Sequence, residues 1–179
     1  MAVAYDAVAS DTVFNGTSFT TAAFTIDIGS IGNRAASVGL HHSSNDATSI
    51  SVTVGGQSGS ELADTVSSNN ERVLLFGVKA PAQGSQTGSA AWTNSVSGVF
   101  GVITVTGADQ STTFNGAQTD VDNGSSNDID LAMISNNGDL TITHCTMTAN
   151  LATNQTGVYS LSQTVHGAGD YFLYVLFCQ

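Results

Sequence analysis

The sequence predicts an all-β protein: an antiparallel two-sheet sandwich, with a jelly roll as the expected connectivity. Three observations predict it. Apolar residues come in short alternating runs separated by turn residues at close spacing. Ser 22, Thr 22, Asn 13 and Gly 19 account for 76 of the 179 residues, which is strand and turn chemistry rather than helix chemistry. Charged residues are only 9%, so long helices would lack the polar face that water requires. At this length one domain over residues 1–179 is expected, with enough chain for a real core.

Val3–Val8 reads as a first short strand. In Thr20–Ile28 the residues Phe24, Ile26 and Ile28 share one face, and Gly29–Asn33 is a turn. Arg34–Ser43 is a strand that exits through Ser44-Asn45-Asp46. Ser49–Val54 alternates, with Ile50, Val52 and Val54 on one side, until Gly55-Gly56-Gln57 breaks it. Glu61–Asn70 is the stretch expected to be irregular or briefly helical. Glu71–Lys79 is a strand stopped by the single proline, Pro81. Gln86–Thr93 is a weaker strand containing Trp92. Val99–Thr106 is the central one: Val99, Ile103 and Val105 lie on one face and Phe100 and Val102 on the other. Two apolar faces mark an interior strand.

Asp109–Asn127 reads mostly as loop. Ile129–Ser135 and Leu140–Thr148 flank Asn136-Asn137-Gly138-Asp139, a strong hairpin signal. A two-residue turn at Asn137-Gly138 would pair Met133 with Ile142, Ser135 with Leu140 and Leu131 with His144. Ile129, Leu131, Met133, Leu140 and Ile142 then form a core face. Gly157–Val165 and Asp170–Cys178 complete about ten strands, with no convincing helix. The last strand is apolar on both faces: Tyr171, Leu173, Val175 and Phe177 on one, Phe172, Tyr174, Leu176 and Cys178 on the other. One face meets the core. The other is either covered by the chain's own loops or wants a partner, and in the second case Tyr171, Leu173, Val175 and Phe177 are the expected subunit interface.

The net charge is −11, with Arg34, Arg72 and Lys79 as the only cations. Three cations cannot track a phosphate backbone or hold an anionic lipid surface, so neither nucleic acid nor membrane is an expected partner. No run reaches the roughly 20 apolar residues of a membrane span. Met1–Asp6 has neither a basic nor an apolar signal region, so synthesis in the cytoplasm is expected if Met1 is native. Cys145 and Cys178 do not make a disulfide framework; buried thiols are expected in a reducing compartment.

No motif carries catalytic chemistry. HExxH, GxSxG, CxxC and P-loop spacings are missing, and no enzyme activity or cofactor is expected. His41 and His42 are adjacent, so a strand sends them to opposite faces, where they cannot easily share a metal. Asp120, Asp122 and Asp128 give a weak calcium-loop pattern. Its glycine falls one position early for an EF-hand, and no glutamate closes the site. Trp92 could stack on a sugar, although a lone tryptophan in a sandwich is more often core. The three Asn-x-Ser/Thr matches, at Asn15, Asn123 and Asn154, arise readily by chance in this composition.

Five phrases carry a resemblance. They are Ile31–Leu40 (IGNRAASVGL), Ser51–Gln57 (SVTVGGQ), Glu71–Pro81 (ERVLLFGVKAP), Val105–Gln110 (VTGADQ) with Ser111-Thr112, and Asn137-Gly-Asp-Leu140. In this order they resemble a family of β-sandwich domains from bacterial surface proteins and phage or prophage virion proteins, over roughly Thr20–Val165. They are turn and strand signatures, and no catalytic residue is carried over with them. The apolar tail Tyr171–Cys178 departs from the family and points to an oligomer. As a free-standing acidic sandwich the chain resembles a phage capsid decoration (cement) protein. That resemblance implies a homo-oligomer, commonly a trimer, on the capsid exterior, with the major capsid protein as partner. The alternative is a carbohydrate-binding or adhesive module, extracellular or at the cell surface, including a tail or head-fibre component.

Overall fold

The computed structural model describes residues 3–26, 33–67, 70–115, 117, 128–130, 140–147, 160–162 and 171–178. Every regular element among them is a strand. They are β1 (Ala4–Thr20), β2 (Phe24–Ile26), β3 (Ala35–His42), β4 (Thr48–Val54), β5 (Gln57–Ser58), β6 (Ser60–Val66) and β7 (Arg72–Lys79). Then follow β8 (Gly84–Gln86), β9 (Gly88–Thr106), β10 (Asp128–Asp130), β11 (Leu140–Met147), β12 (Ser160–Ser162) and β13 (Tyr171–Cys178). Among the described residues no helix is long and apolar enough to cross a membrane.

The main sheet has the order β5-β4-β9-β3-β7-β6, with β1 on the other edge of β9, and every pairing in it is antiparallel. Its organising strand is β9, 19 residues long. The weaker strand at Trp92 and the central strand at Val99 are therefore one element, joined through Asn94–Gly98. β1 is also longer than its first apolar run suggests. It stays paired with β9 from Ala4↔Thr106 to Thr20↔Ser89. On the opposite edge β3 pairs with the second half of β9 and β4 with the first half.

A flat strand of 19 residues would extend about 60 Å. β9 curls instead. A Cβ at Gly88 would lie 2.7 Å from Val102 Cγ2 and 3.2 Å from Phe100, so the two ends of one strand face each other across the core. Phe19, near the end of β1, meets Phe100 with ring centroids 5.0 Å apart. The first half of β9, with β4, thus forms one layer. The second half, with β3 and β7, forms the other. Alternation fills the space between: Ala36, Val38 and Leu40 of β3, Val52 and Val54 of β4, Leu74, Phe76 and Val78 of β7, and Trp92, Phe100 and Val102 of β9 make one buried cluster.

The outer face of the second layer is covered too. All eight residues of β3 are buried, as is β9 from Gly98 to Thr106. Ala35, Ile103, Val105 and Ala108 form a second cluster, against which Val3, Phe114, Leu140 and Ile142 pack. Leu140 and Ile142 are the core-facing pair expected from alternation. Phe114 lies over β7, where a Cβ at Gly77 would fall 2.5 Å from its ring. Two apolar faces on Val99–Thr106 therefore reflect burial from both sides, as the pattern implied.

Some expectations change. Glu61–Asn70 is no helix: Ser60–Val66 is a strand bonded to β7, bulged between Glu61 and Ala63. Glu, Leu and Ala are good helix formers, but that preference is worth only a few tenths of a kcal/mol per residue, and an open edge on β7 outweighs it. Gly55 and Gly56 both have positive φ, +54° and +74°, as a type I′ hairpin requires, so the break after β4 is a turn into β5. β10 pairs with β12, and β11 with β13, in parallel, unlike the antiparallel main sheet. The strand order supports a β-sandwich and not specifically a jelly roll. The Asn137-Gly138 turn and its expected pairs lie outside the described residues.

Gly98 sits where β3 presses on β9. A Cβ there would lie 2.5 Å from the His41 carbonyl oxygen and 3.2 Å from His42 Cδ2. Backbone cannot yield as a side-chain tip can. Gly98→Ala is expected to cost about 1–3 kcal/mol, read as a lowered urea midpoint with unchanged m-value.

Candidate functional site

The densest polar constellation lies at one end of the main sheet. Arg34 Nε donates to the Pro81 carbonyl at 2.9 Å, and the Arg34 carbonyl accepts from Ala80 N at 2.9 Å and from Gln110 Nε2 at 3.0 Å. Gln110 Nε2 also reaches the Ala108 carbonyl at 3.1 Å, Ala108 N donates to the Asn33 carbonyl, and Ala82 N to the Gly55 carbonyl. Four of the five resembling phrases thus converge here. Their shared residues close strand ends, since each loose carbonyl at a sheet margin needs a donor. Asp109 beside them accepts from Ser111 N and Ser111 Oγ, both at 2.7 Å, and those bonds hold its carboxyl below the ordinary value.

The second constellation crosses the middle of the sheet. Here β1, β9 and the β3–β4 junction all lose register at one level. β1 shifts between Val13 and Ser18, β4 between Thr48 and Ser51, and residues 94–97 of β9 face the Ser43–Ala47 turn. Asn15, Ser49 and Asn94 take φ of 54°, 52° and 61° along this seam. Side chains bridge it. Trp92 Nε1 donates to the Gly16 carbonyl at 3.0 Å, Asn94 Nδ2 to the Asp46 carbonyl at 2.8 Å and Arg72 Nη1 to the Ala47 carbonyl at 2.7 Å. Arg72 is itself gripped by Asp64 through Nε at 2.9 Å and Nη2 at 2.6 Å, which raises its already high pKa.

His42 packs on Trp92 with ring centroids 4.6 Å apart. It is 0% exposed, and neither of its ring nitrogens has a hydrogen-bond partner; Nδ1 of His41, 2% exposed, has none either. Burial pushes both down to about 4, aided for His42 by neighbouring His41 and Arg72. Both imidazoles are neutral at pH 7. They point to opposite faces of β3, as adjacency requires.

Trp92 is 6% exposed, so it is a core residue and offers no stacking platform to a sugar. What the first layer offers outward is hydroxyls. Thr20, Ser89, Thr53 and Ser58 stand side by side across β1, β9, β4 and β5. Thr53 and Ser89 are bonded at 2.6 Å, and the Thr48 and Thr93 hydroxyls also meet.

The apolar last strand lies beside β11. β13 pairs with β11 in register, Leu140↔Tyr171, Ile142↔Leu173 and His144↔Val175. The side chains of Tyr171, Leu173, Val175 and Phe177, the expected interface, lie outside the described residues. Asp120 and Asp122 lie outside the described residues, as do the side chains of Asp128, Cys145 and Cys178. Among the described residues no group of three His, Cys, Asp or Glu could hold a metal ion.

Compared with family models, with curated proteins and with solved structures, the chain matches none.

Trp92→Ala is expected to cost about 3–5 kcal/mol in a urea titration, as a core truncation does. Trp92→Phe keeps an aromatic ring but gives up some volume and leaves the Gly16 carbonyl bare, and should cost about 1–3 kcal/mol, less than Trp92→Ala.

Proposed function

We propose that this is a non-enzymatic structural virion protein, a capsid decoration (cement) protein that binds the outside of the expanded phage shell. One observation carries the reading. Two of the three cations, with Gln110 and Trp92, are committed to the chain's own backbone, and the outward surface is acidic and rich in hydroxyls. Arg34, Gln110, Trp92 and Arg72 donate to backbone carbonyls of this same chain. The resembling phrases fall on that framework, which supports an architectural kinship. A body ordered before binding loses little entropy on docking. Binding only the expanded shell then stabilises that shell by mass action.

The oligomer, a trimer in this reading, uses the face of β13 that carries Tyr171, Leu173, Val175 and Phe177. A second reading, a carbohydrate-binding or adhesive module, is favoured by one observation: the hydroxyl row Thr20–Ser89–Thr53–Ser58, which suits hydrogen-bonded glycan contacts.

Light scattering on the purified protein should give a trimer, and the protein should co-sediment with expanded phage shells built of the major capsid protein. Leu173→Asp or Val175→Asp should yield folded monomers with an unchanged far-UV circular dichroism spectrum. A monomer that ignores shells but is retained on a glycan array would overturn the decoration role in favour of the second reading.

A further inference from the structure

The seam joins the only tryptophan to a fully buried imidazole, at the one level where the three long tracks of the sheet all change register. β9 is held to the β3–β4 junction here by Asn94 to the Asp46 carbonyl, Ser43 N to the Ser97 carbonyl at 2.9 Å and the Thr93 hydroxyl to the Thr48 carbonyl at 3.0 Å, while Trp92 ties β9 to Gly16 of β1 and Arg72 ties the turn at Ala47 to β7. His42 closes the inner side of this band, and neither of its nitrogens has a partner. We propose that the seam is an acid-operated joint: protonating His42 separates β3 and β4 from β9 at the Ser43–Ala47 turn before the rest of the sheet yields.

The surroundings leave the added charge uncompensated. From β9 His42 meets Trp92 and Gly98, neither of which is charged. From β7 it faces Arg72, a like charge, whose guanidinium is already engaged by Asp64 of β6. On its own strand stands His41, also basic and also buried. Asp46 in the adjoining turn takes the Ser44 hydroxyl at 2.8 Å. An imidazolium here would be buried beside two other bases, and opening the seam to water relieves that.

The direction with pH follows. In the unfolded chain each histidine binds its proton at the ordinary value of 6.5, but in the folded protein only at about 4. Between those values the unfolded or opened form binds more protons. Stability is therefore full above pH 6.5 and falls as the pH drops toward 4. Asp109, held below its ordinary value of 3.8, acts at more acid pH and does not account for this window.

Three measurements test the joint. Trp92 emission should shift to the red between pH 6.5 and 4 while far-UV circular dichroism still reports an intact sheet; coincident transitions would overturn a local seam. The wild-type folding constant should fall up to about 100-fold per pH unit within the window, and only about tenfold per unit in His42→Leu. An unchanged slope in that variant would overturn the assignment to His42. If His42→Leu does not fold, imidazole NMR on the wild type decides: His42 titrating near 6.5 in the folded protein contradicts the joint, and a flat signal down to the emission change supports it.

Discussion

The fold depends on one constraint: a single strand belongs to both layers. β9 can serve both only by curling until Gly88 meets Val102, and everything beside it must curl as well. β1 follows along its whole length. The track on the other side is split into β3 and β4. A continuous ladder resists such bending, because regular pairing fixes the twist between neighbours. The ladder is therefore interrupted on all three tracks at the same level. Left-handed residues at Asn15, Ser49 and Asn94 supply the bend. Asn tolerates that region better than most residues; Ser49 holds it beside a bulge in β4.

Interrupting a ladder leaves backbone groups without strand partners, and the composition explains how they are met. With only three cations, the chain places two at such breaks: Arg34 at the sheet end and Arg72 at the seam. Each bonds a carbonyl that no neighbouring strand reaches. The low charge content and the curled sheet are thus connected, because cations fixed to backbone are not available to a phosphate or lipid surface. The buried histidines belong to the same economy. Neutral imidazole fills volume beside Trp92 as an aromatic would, at the cost of nitrogens left unbonded.

Much of this was legible in the sequence, and the limits have physical reasons. Alternation located β3, β4, β7 and the second half of β9, because burial on one or both faces writes period two directly into residue type. Leu140 and Ile142 were readable as core-facing for the same reason. The union of Trp92 with Val99 in one strand was not, since Asn94-Ser95 looks like a turn when the partner that spans it is unknown. β6 was missed because Glu61, Leu62 and Ala63 say little locally, while the edge of β7 decides. The face of β13 was undecidable from alternation, because both faces are apolar. The seam itself left only a faint trace: isolated asparagines inside otherwise β-prone stretches.

That last point bears on what the resembling phrases mean. Arg34-Ala-Ala, Gly55-Gly56, Ala80-Pro81 and Ala108-Asp-Gln110 are scattered along the sequence, yet their backbones interlock at one corner. The side chains of Arg34 and Gln110 both aim at backbone carbonyls there, so in this chain the phrases build a closed corner of the sheet. What they build is shape, and the surfaces beside that corner, including the hydroxyl row of β1, β9, β4 and β5, are set by other residues.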